Sequence, residues 1–160
     1  MKEKYYYKTP LGWISIVASH LHVYEIKYIK KPIEYSFEKP NKLVEKVKEN
    51  LNIYFLNPNQ KFVLPFKFEG TPFQNSIWEI LKDIPSGKTK SYNEIAILYG
   101  NSKATRAVGK AISQNPIMIF IPCHRVIGSD GSLTGYAGGI NKKKWLLEFE
   151  GYPIQKSLDL

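Results

Sequence analysis

The sequence predicts an α+β protein. Its strand signals gather near the amino terminus and its amphipathic helix patterns fill the remainder, a segregated order that packs helices against a small sheet instead of alternating with parallel strands. A chain of 160 residues can bury a real core as one domain or two small ones. Segments 5–9, 13–19 and 22–28 are rich in Tyr, Val and Ile and are separated by the turn residues Pro10-Leu11-Gly12 and Ser19-His20, so they should form a meander. Leu43, Val44, Val47, Leu51 and Tyr54 recur at three- and four-residue spacings, predicting a helix over 42–55 before the loop Asn57-Pro58-Asn59-Gln60. No chemistry is visible in this first part, and support is its default role.

The pattern changes near Glu69-Gly70. Thr71-Pro72-Phe73-Gln74 supplies an N-cap, a proline at the first helical position and a capping-box glutamine, so a helix should run to about Lys82 with Phe73, Ile77, Ile80 and Leu81 inward. Pro85-Ser86-Gly87 ends it. Ser91-x-x-Glu94 is a second capping box, opening a helix with Ile95, Leu98 and Tyr99 on one face before the tight turn Gly100-Asn101-Ser102. The next helix begins near Lys103, with Ala104, Ala107, Val108, Ala111 and Ile112 as its apolar stripe and Lys103, Thr105, Arg106 and Lys110 off it. Asn115-Pro116 stops it. Two short helices joined by a tight turn, the second small-faced and basic, match a DNA-binding helix-turn-helix, a pattern that a structural helical hairpin shares.

The apolar run 117–121 reads as a strand that carries Cys123 at its end. Past Val126-Ile127 the turn Gly128-Ser129-Asp130-Gly131 suggests a wing-like hairpin, and Gly135-Tyr136-Ala137-Gly138-Gly139 suggests a mobile loop. Asn141 can cap a last helix with Trp145, Leu146 and Phe149 inward and Lys142, Lys143 and Lys144 in water, ending at Glu150-Gly151.

Composition narrows the function. One cysteine excludes internal disulfides and cysteine-based zinc sites, and His20 and His22 have no further ligand to complete a metal set, so no metal and no cofactor are expected. The amino terminus lacks the apolar stretch of a signal peptide and no segment is long enough to span a bilayer, so a cytoplasmic protein without a membrane partner is expected. Twenty-three Lys and Arg against 14 Asp and Glu give a net charge of +9, which favours a polyanionic partner. The surplus is concentrated: Lys88, Lys90, Lys103, Arg106, Lys110 and Arg125 are set against the acid Glu94 alone between Ser86 and Arg125.

Cys123 lies in Pro122-Cys123-His124-Arg125-Val126. By type alone it is more readily an inert buried side chain than a nucleophile, but the neighbouring His124 and Arg125 are groups that can favour thiolate. On a strand Cys123 and His124 would point to opposite faces, so a water would have to relay a proton between them.

That motif, together with Ser91-Tyr92, Arg106-Ala107-Val108-Gly109 and Asn115-Pro116, resembles the O6-alkylguanine-DNA alkyltransferases over residues 71–151. The resemblance implies a small ribonuclease-H-like strand and helix domain over 1–69 and a winged helix-turn-helix alkyltransferase domain over 70–160. It implies irreversible transfer of an alkyl group, such as methyl, from O6 of guanine in double-stranded DNA to Cys123, a single-use reaction after nucleotide flipping, with O4 of thymine an open second target. His124 would take the thiol proton through a water, Glu150 would orient the imidazole, and Asn115 would tie the helix-turn-helix to the cysteine segment. Arg106 would fill the gap left by the flipped base. Ala104, Thr105, Ala107, Gly109, Lys110 and Arg125 would complete the DNA face. Tyr92 would contact the flipped guanine, and Ile112, the Val126 backbone, Tyr136 and Ala137 would shape its pocket. The absence of a serine at Ala137 leaves O6 to be met by backbone N–H. A monomer is expected, nucleoid-associated through DNA, with cooperative assembly along the duplex left open. A winged-helix binding module with an unreactive Cys123 is the alternative, and a cysteine hydrolase would leave the basic helices unexplained.

Overall fold

The structure, a computed structural model, describes residues 1–32 and 39–154, so residues 155–160 of the expected second domain lie outside the described residues. Helices and two small sheets make up the fold. Strands β1 (Glu3–Thr9), β2 (Gly12–Ala18) and β3 (Val23–Tyr28) form the expected antiparallel meander in that order, with Ile14, Ile16, Ala18, Val23 and Ile26 buried. Helix α1 (Lys42–Leu56) is capped by Asn41, whose side chain accepts from the Val44 N–H, and it buries Leu43, Val44, Val47, Leu51 and Tyr54 as its periodicity predicts.

Helix α2 (Pro72–Leu81) and helix α3 (Tyr92–Tyr99) both start with complete capping boxes, at Thr71/Gln74 and Ser91/Glu94. Gly100, in the left-handed region at φ 102°, ends α3 with its N–H on the Ala96 and Ile97 carbonyls, a conformation that favours glycine. A single 3-10 turn over Ser102–Ala104 leads into α4 (Thr105–Ser113). Trp78 ties this part together, because its indole N–H donates to the Ala111 carbonyl at 2.9 Å. A side chain at Gly70 would come within 2.7 Å of the Trp78 ring, so glycine is required for the chain to pass there.

Several expectations are corrected. Helix α3 buries Ile95 and Ala96, while Leu98 and Tyr99 are largely exposed, because an eight-residue helix wedged against α2 and α4 turns only one narrow side inward. In α4 the buried stripe is Val108, Ala111 and Ile112, and Ala107 faces out. Segment 117–121 is not a strand: after a lone bridge from Ile117 to Ile26 the chain reverses at Ile119, whose φ is 72°. Cys123 therefore lies in a 3-10 turn, Cys123–Arg125. The following strand β5 (Val126–Ile127) pairs in parallel with β4 (Lys90–Ser91) instead of opening a hairpin, and the chain beyond it closes a turn with the Gly128 N–H on the Ser132 carbonyl.

The last helix, α5 (Ile140–Phe149), starts at Gly139 without a side-chain cap, so Asn141 lies inside its first turn. Its buried stripe is Lys143, Leu146 and Leu147, one position away from the expected Trp145. Trp145 stays partly exposed and stacks on Phe149 at 4.8 Å between centroids. The core is continuous from the meander and α1 through α2, α4 and the cysteine segment.

The capping box of α3 fixes both its own start and the β4–β5 contact beside the cysteine turn. Ser91→Ala should lower folding stability by about 1 kcal/mol, visible as a reduced urea midpoint without a change in slope.

Candidate functional site

Cys123 opens on a cavity of about 230 Å³ lined by Tyr92, Gly109, Ile112, Ser113, Met118, Cys123, Gly135, Tyr136 and Ala137. Helices α3 and α4 supply one wall and the loop before α5 supplies the other. The thiol is only 5% exposed. Burial pushes its pKa up to about 11, against the opposing effects of a hydrogen bond with Asn115 and the charge of Lys143. A neutral thiol is the resting form, and a base is needed to make it a nucleophile.

The next residue in the chain carries an imidazole, a group able to serve as that base. His124 is fully buried and its Nε2 lies 2.9 Å from Glu150 Oε2 at the end of α5. Arg125 grips the same carboxylate in a fork, with Nε 2.8 Å from Oε1 and Nη2 2.8 Å from Oε2, and Tyr54 of α1 donates to Oε2 at 2.6 Å. Burial alone would raise the carboxyl, but His124 and the Arg125 guanidinium outweigh it and hold Glu150 down at about 2. Burial lowers the basicity of His124, with Glu150 acting the other way, so the imidazole is neutral at rest. An ionised carboxylate only accepts, so His124 Nε2–H donates to it and the lone pair sits on Nδ1. Nδ1 is buried and has no hydrogen-bond partner in the structure. Such an atom can take a proton through one bridging water.

Asn115, at the end of α4, is buried and donates to the Ile117 and Ile121 carbonyls at 3.1 and 2.7 Å while accepting from the Ile117 N–H at 3.0 Å. It locks the segment that carries Cys123 to the helix pair. The loop wall is held from elsewhere: the Tyr136 hydroxyl meets that of Tyr28 on β3 at 2.8 Å, and the two rings pack edge to face. Tyr92 lines the cavity with its ring and donates its hydroxyl to the Thr134 carbonyl at 3.0 Å.

Lys143, expected in water, is instead part of the interior. It is fully buried and its ammonium donates to the carbonyls of Val126, Thr134 and Gly135 at 2.6, 2.7 and 3.3 Å, pinning the loop to the turn that carries the cysteine. Burial brings it down to about 8, so it remains charged at neutral pH. The signal was present, since Lys143, Leu146, Leu147 and Glu150 share one helical face at i, i+3, i+4 and i+7. Tyr54 was read only as core, although a buried hydroxyl needs a partner.

On the outer side of α4, Arg106, Ala107 and Lys110 are exposed, and Ala104, Thr105 and Gly109 are half-buried. Arg125 does not join them. It is 9% exposed, and its guanidinium is occupied by Glu150 and by the Ile84 carbonyl at 2.6 Å, because the turn geometry aims it inward. Val126 lies outside the cavity lining, with its carbonyl taken by Lys143. A larger cavity of about 490 Å³ between loop 59–64 and turn 82–86 reaches Tyr54 and Arg125 but not Cys123, which meets the smaller one. Among the described residues no group of three or more His, Cys, Asp or Glu side chains is placed to hold a metal ion. Nor, among them, is any helix long and apolar enough to cross a membrane.

A buried cysteine followed by an imidazole bonded to a carboxylate, opening beside a helix pair whose second member is basic, is an arrangement suited to a protein that uses a thiol as nucleophile. Known proteins narrow that class. The family described as 6-O-methylguanine DNA methyltransferase, DNA binding domain, matches residues 72–152. A methylated-DNA–protein-cysteine methyltransferase of Methanosarcina acetivorans is 41% identical over 149 residues, 91% of this chain and 96% of its own. The Haemophilus influenzae protein of that name is 38% identical over 92% of this chain and 86% of its own. Among solved structures, Mycobacterium tuberculosis OGT in complex with DNA superposes with a TM-score of 0.82 at 37% identity, covering 92% of this chain and 91% of the other. The chain belongs to the methylated-DNA–protein-cysteine methyltransferase family.

Glu150 makes acid stability measurable. Its folded-state pKa of about 2 lies below the ordinary 4.5, so the stability it contributes is complete above about 4.5 and is lost as pH falls toward 2. Glu150→Gln should be less stable than the natural protein at neutral pH, and the gap should shrink between those pH values in urea titrations.

Proposed function

We propose that this protein repairs alkylated DNA by moving the alkyl group from O6 of guanine irreversibly onto Cys123, spending one protein molecule per lesion. The observation that carries the reading is a buried thiol on a small cavity, followed in the chain by a buried His124 whose Nε2 meets Glu150 and whose Nδ1 has no hydrogen-bond partner in the structure. The relatives named above are methylated-DNA–protein-cysteine methyltransferases that match 91% and 92% of this chain.

Guanine O6 in a stacked duplex is out of reach of an enclosed thiol, so the nucleotide must leave the stack and enter the cavity. We read the amino-terminal residues 1–69 as a supporting ribonuclease-H-like domain and 70–160 as a winged helix-turn-helix domain that presents α4 to the minor groove. Arg106, exposed on α4, occupies the vacated position with its planar cation, while Lys110 and the small surface of Ala104, Thr105, Ala107 and Gly109 lie along the backbone. As the lesion seats between Tyr92, Ile112, Tyr136 and Ala137, the thiol proton passes through a water to His124 Nδ1. Sulfur then bonds to the alkyl carbon as the carbon–O6 bond breaks. A proton from the Tyr92 hydroxyl, once released from Thr134, lets guanine leave neutral. Asn115 keeps Cys123 in line, and Arg125 acts on Glu150 inside the protein instead of on DNA.

The test is an intact-mass spectrum with peptide mapping after equimolar mixing with a duplex holding one O6-methylguanine. One methyl on the peptide containing Cys123, with guanine restored, is the expected result; unshifted protein bound to an intact lesion would make it a binding module. A parallel duplex with O4-methylthymine defines the second target.

Two further outcomes are expected. Arg106→Ala should slow transfer from duplex far more than transfer from free O6-methylguanine, compared as single-turnover rates. Cys123→Ala should keep DNA affinity and lose all transfer, and that affinity should fall steeply with added salt in binding titrations.

A further inference from the structure

We propose that Tyr54, contributed by α1 of the amino-terminal half, is a positioning residue of alkyl transfer: its hydroxyl donates to Glu150 Oε2 and holds the carboxylate to which His124 is bonded. This rests on the alkyl-transfer reading above. Tyr54 is 1% exposed, and its hydroxyl lies 2.6 Å from the same oxygen that meets His124 Nε2 at 2.9 Å and Arg125 Nη2 at 2.8 Å. Its ring packs edge to face on Phe55, Phe62 and Phe149, contacts that a phenylalanine would make equally well. The hydroxyl adds nothing to that packing. It is a polar group placed in an apolar cluster, and the carboxylate is the acceptor that makes its burial tolerable.

The donor works on His124 at one remove. Three donors on Oε2 and one on Oε1 fill the carboxylate's acceptor positions, fixing its plane and therefore the plane of the imidazole. They also share its charge. Each donor withdraws some of the negative potential that would otherwise stabilise a protonated His124. The other titratable groups near the relay are Cys123, Lys143 on α5, Tyr28 on β3 and Tyr136 on the loop, and none of them gives Glu150 a hydrogen bond in the structure. Removing the Tyr54 hydroxyl thus concentrates the carboxylate charge on His124 and Arg125. The imidazole becomes easier to protonate, and the neutral form that must accept the thiol proton persists only at higher pH.

The experiment is the single-turnover rate of methyl transfer from a duplex with one O6-methylguanine, followed across pH for the natural protein, Tyr54→Phe, Glu150→Gln and the double variant. Tyr7→Phe, which removes a hydroxyl bonded to Asn52 on the outer side of the same helix, is the control. On the acid limb, where His124 titrates, Tyr54→Phe should transfer up to roughly tenfold more slowly, the scale of a hydrogen bond to a charged group. Its acid limb should move to higher pH, and most of the loss should be recovered there. In the Glu150→Gln background the same substitution should cost nothing further. Should Tyr54→Phe fold poorly, a ring-fluorinated tyrosine at position 54 keeps the shape and strengthens the donor, and it should move the limb to lower pH. An unmoved limb, or an equal loss at every pH that persists in the Glu150→Gln background, would overturn the inference in favour of a packing role. A natural protein that transfers nothing would instead overturn the proposed function.

Discussion

The structure turns on one ionised carboxylate with no exposed surface. Glu150 closes α5, accepts the turn that carries the cysteine through His124 and Arg125, and reaches across to α1 through Tyr54. A buried charge is tolerated only when its lone pairs are filled, and here each donor comes from an element that must be in place for the site to exist. The network thus acts as an assembly check. If α1, the cysteine turn or α5 is displaced, the carboxylate loses a partner in a medium that cannot replace it.

Around that anchor the reactive groups are kept neutral. Burial raises the thiol and lowers the imidazole, so neither the thiolate nor the imidazolium is stored in advance. In the proposed reaction the ion pair is made only when an electrophilic carbon is in position. Lys143 adds a fixed positive charge whose ammonium hydrogens are spent on carbonyls, so its field favours negative charge on sulfur without offering a proton to it.

How much of this could be read from the chain depended on range. The meander, α1 and the starts of α2 and α3 were legible, since alternation, three- and four-residue spacing and capping boxes act over neighbouring residues. The Pro122-Cys123-His124-Arg125-Val126 motif stood out by its residue types, whereas Glu150, an ordinary helix-end glutamate by pattern, was singled out only through the family resemblance. What escaped depends on partners distant in sequence. Segment 117–121 looked like a strand, yet its one sheet neighbour is Ile26 and it turns at once through Ile119. Arg125 looked like a DNA contact because its charge was counted before its carboxylate was in view. Lys143 stood in a run of three lysines, and only the burial of Leu146 and Leu147 on the same face shows that it points inward. The parallel β4–β5 contact joins residues far apart in sequence, and nothing local announces it.

The depth of Cys123 has a further chemical meaning. Thiols are oxidised in proportion to their exposure and thiolate content, and a sulfenic or sulfinic acid at this position could no longer accept an alkyl group. In the proposed reaction the protein is used once, so it must survive intact until then. At 5% exposure and a pKa of about 11, this thiol is shielded from peroxide on both counts. The same burial that makes a proton relay necessary thus gives the unreacted protein a long chemical shelf life.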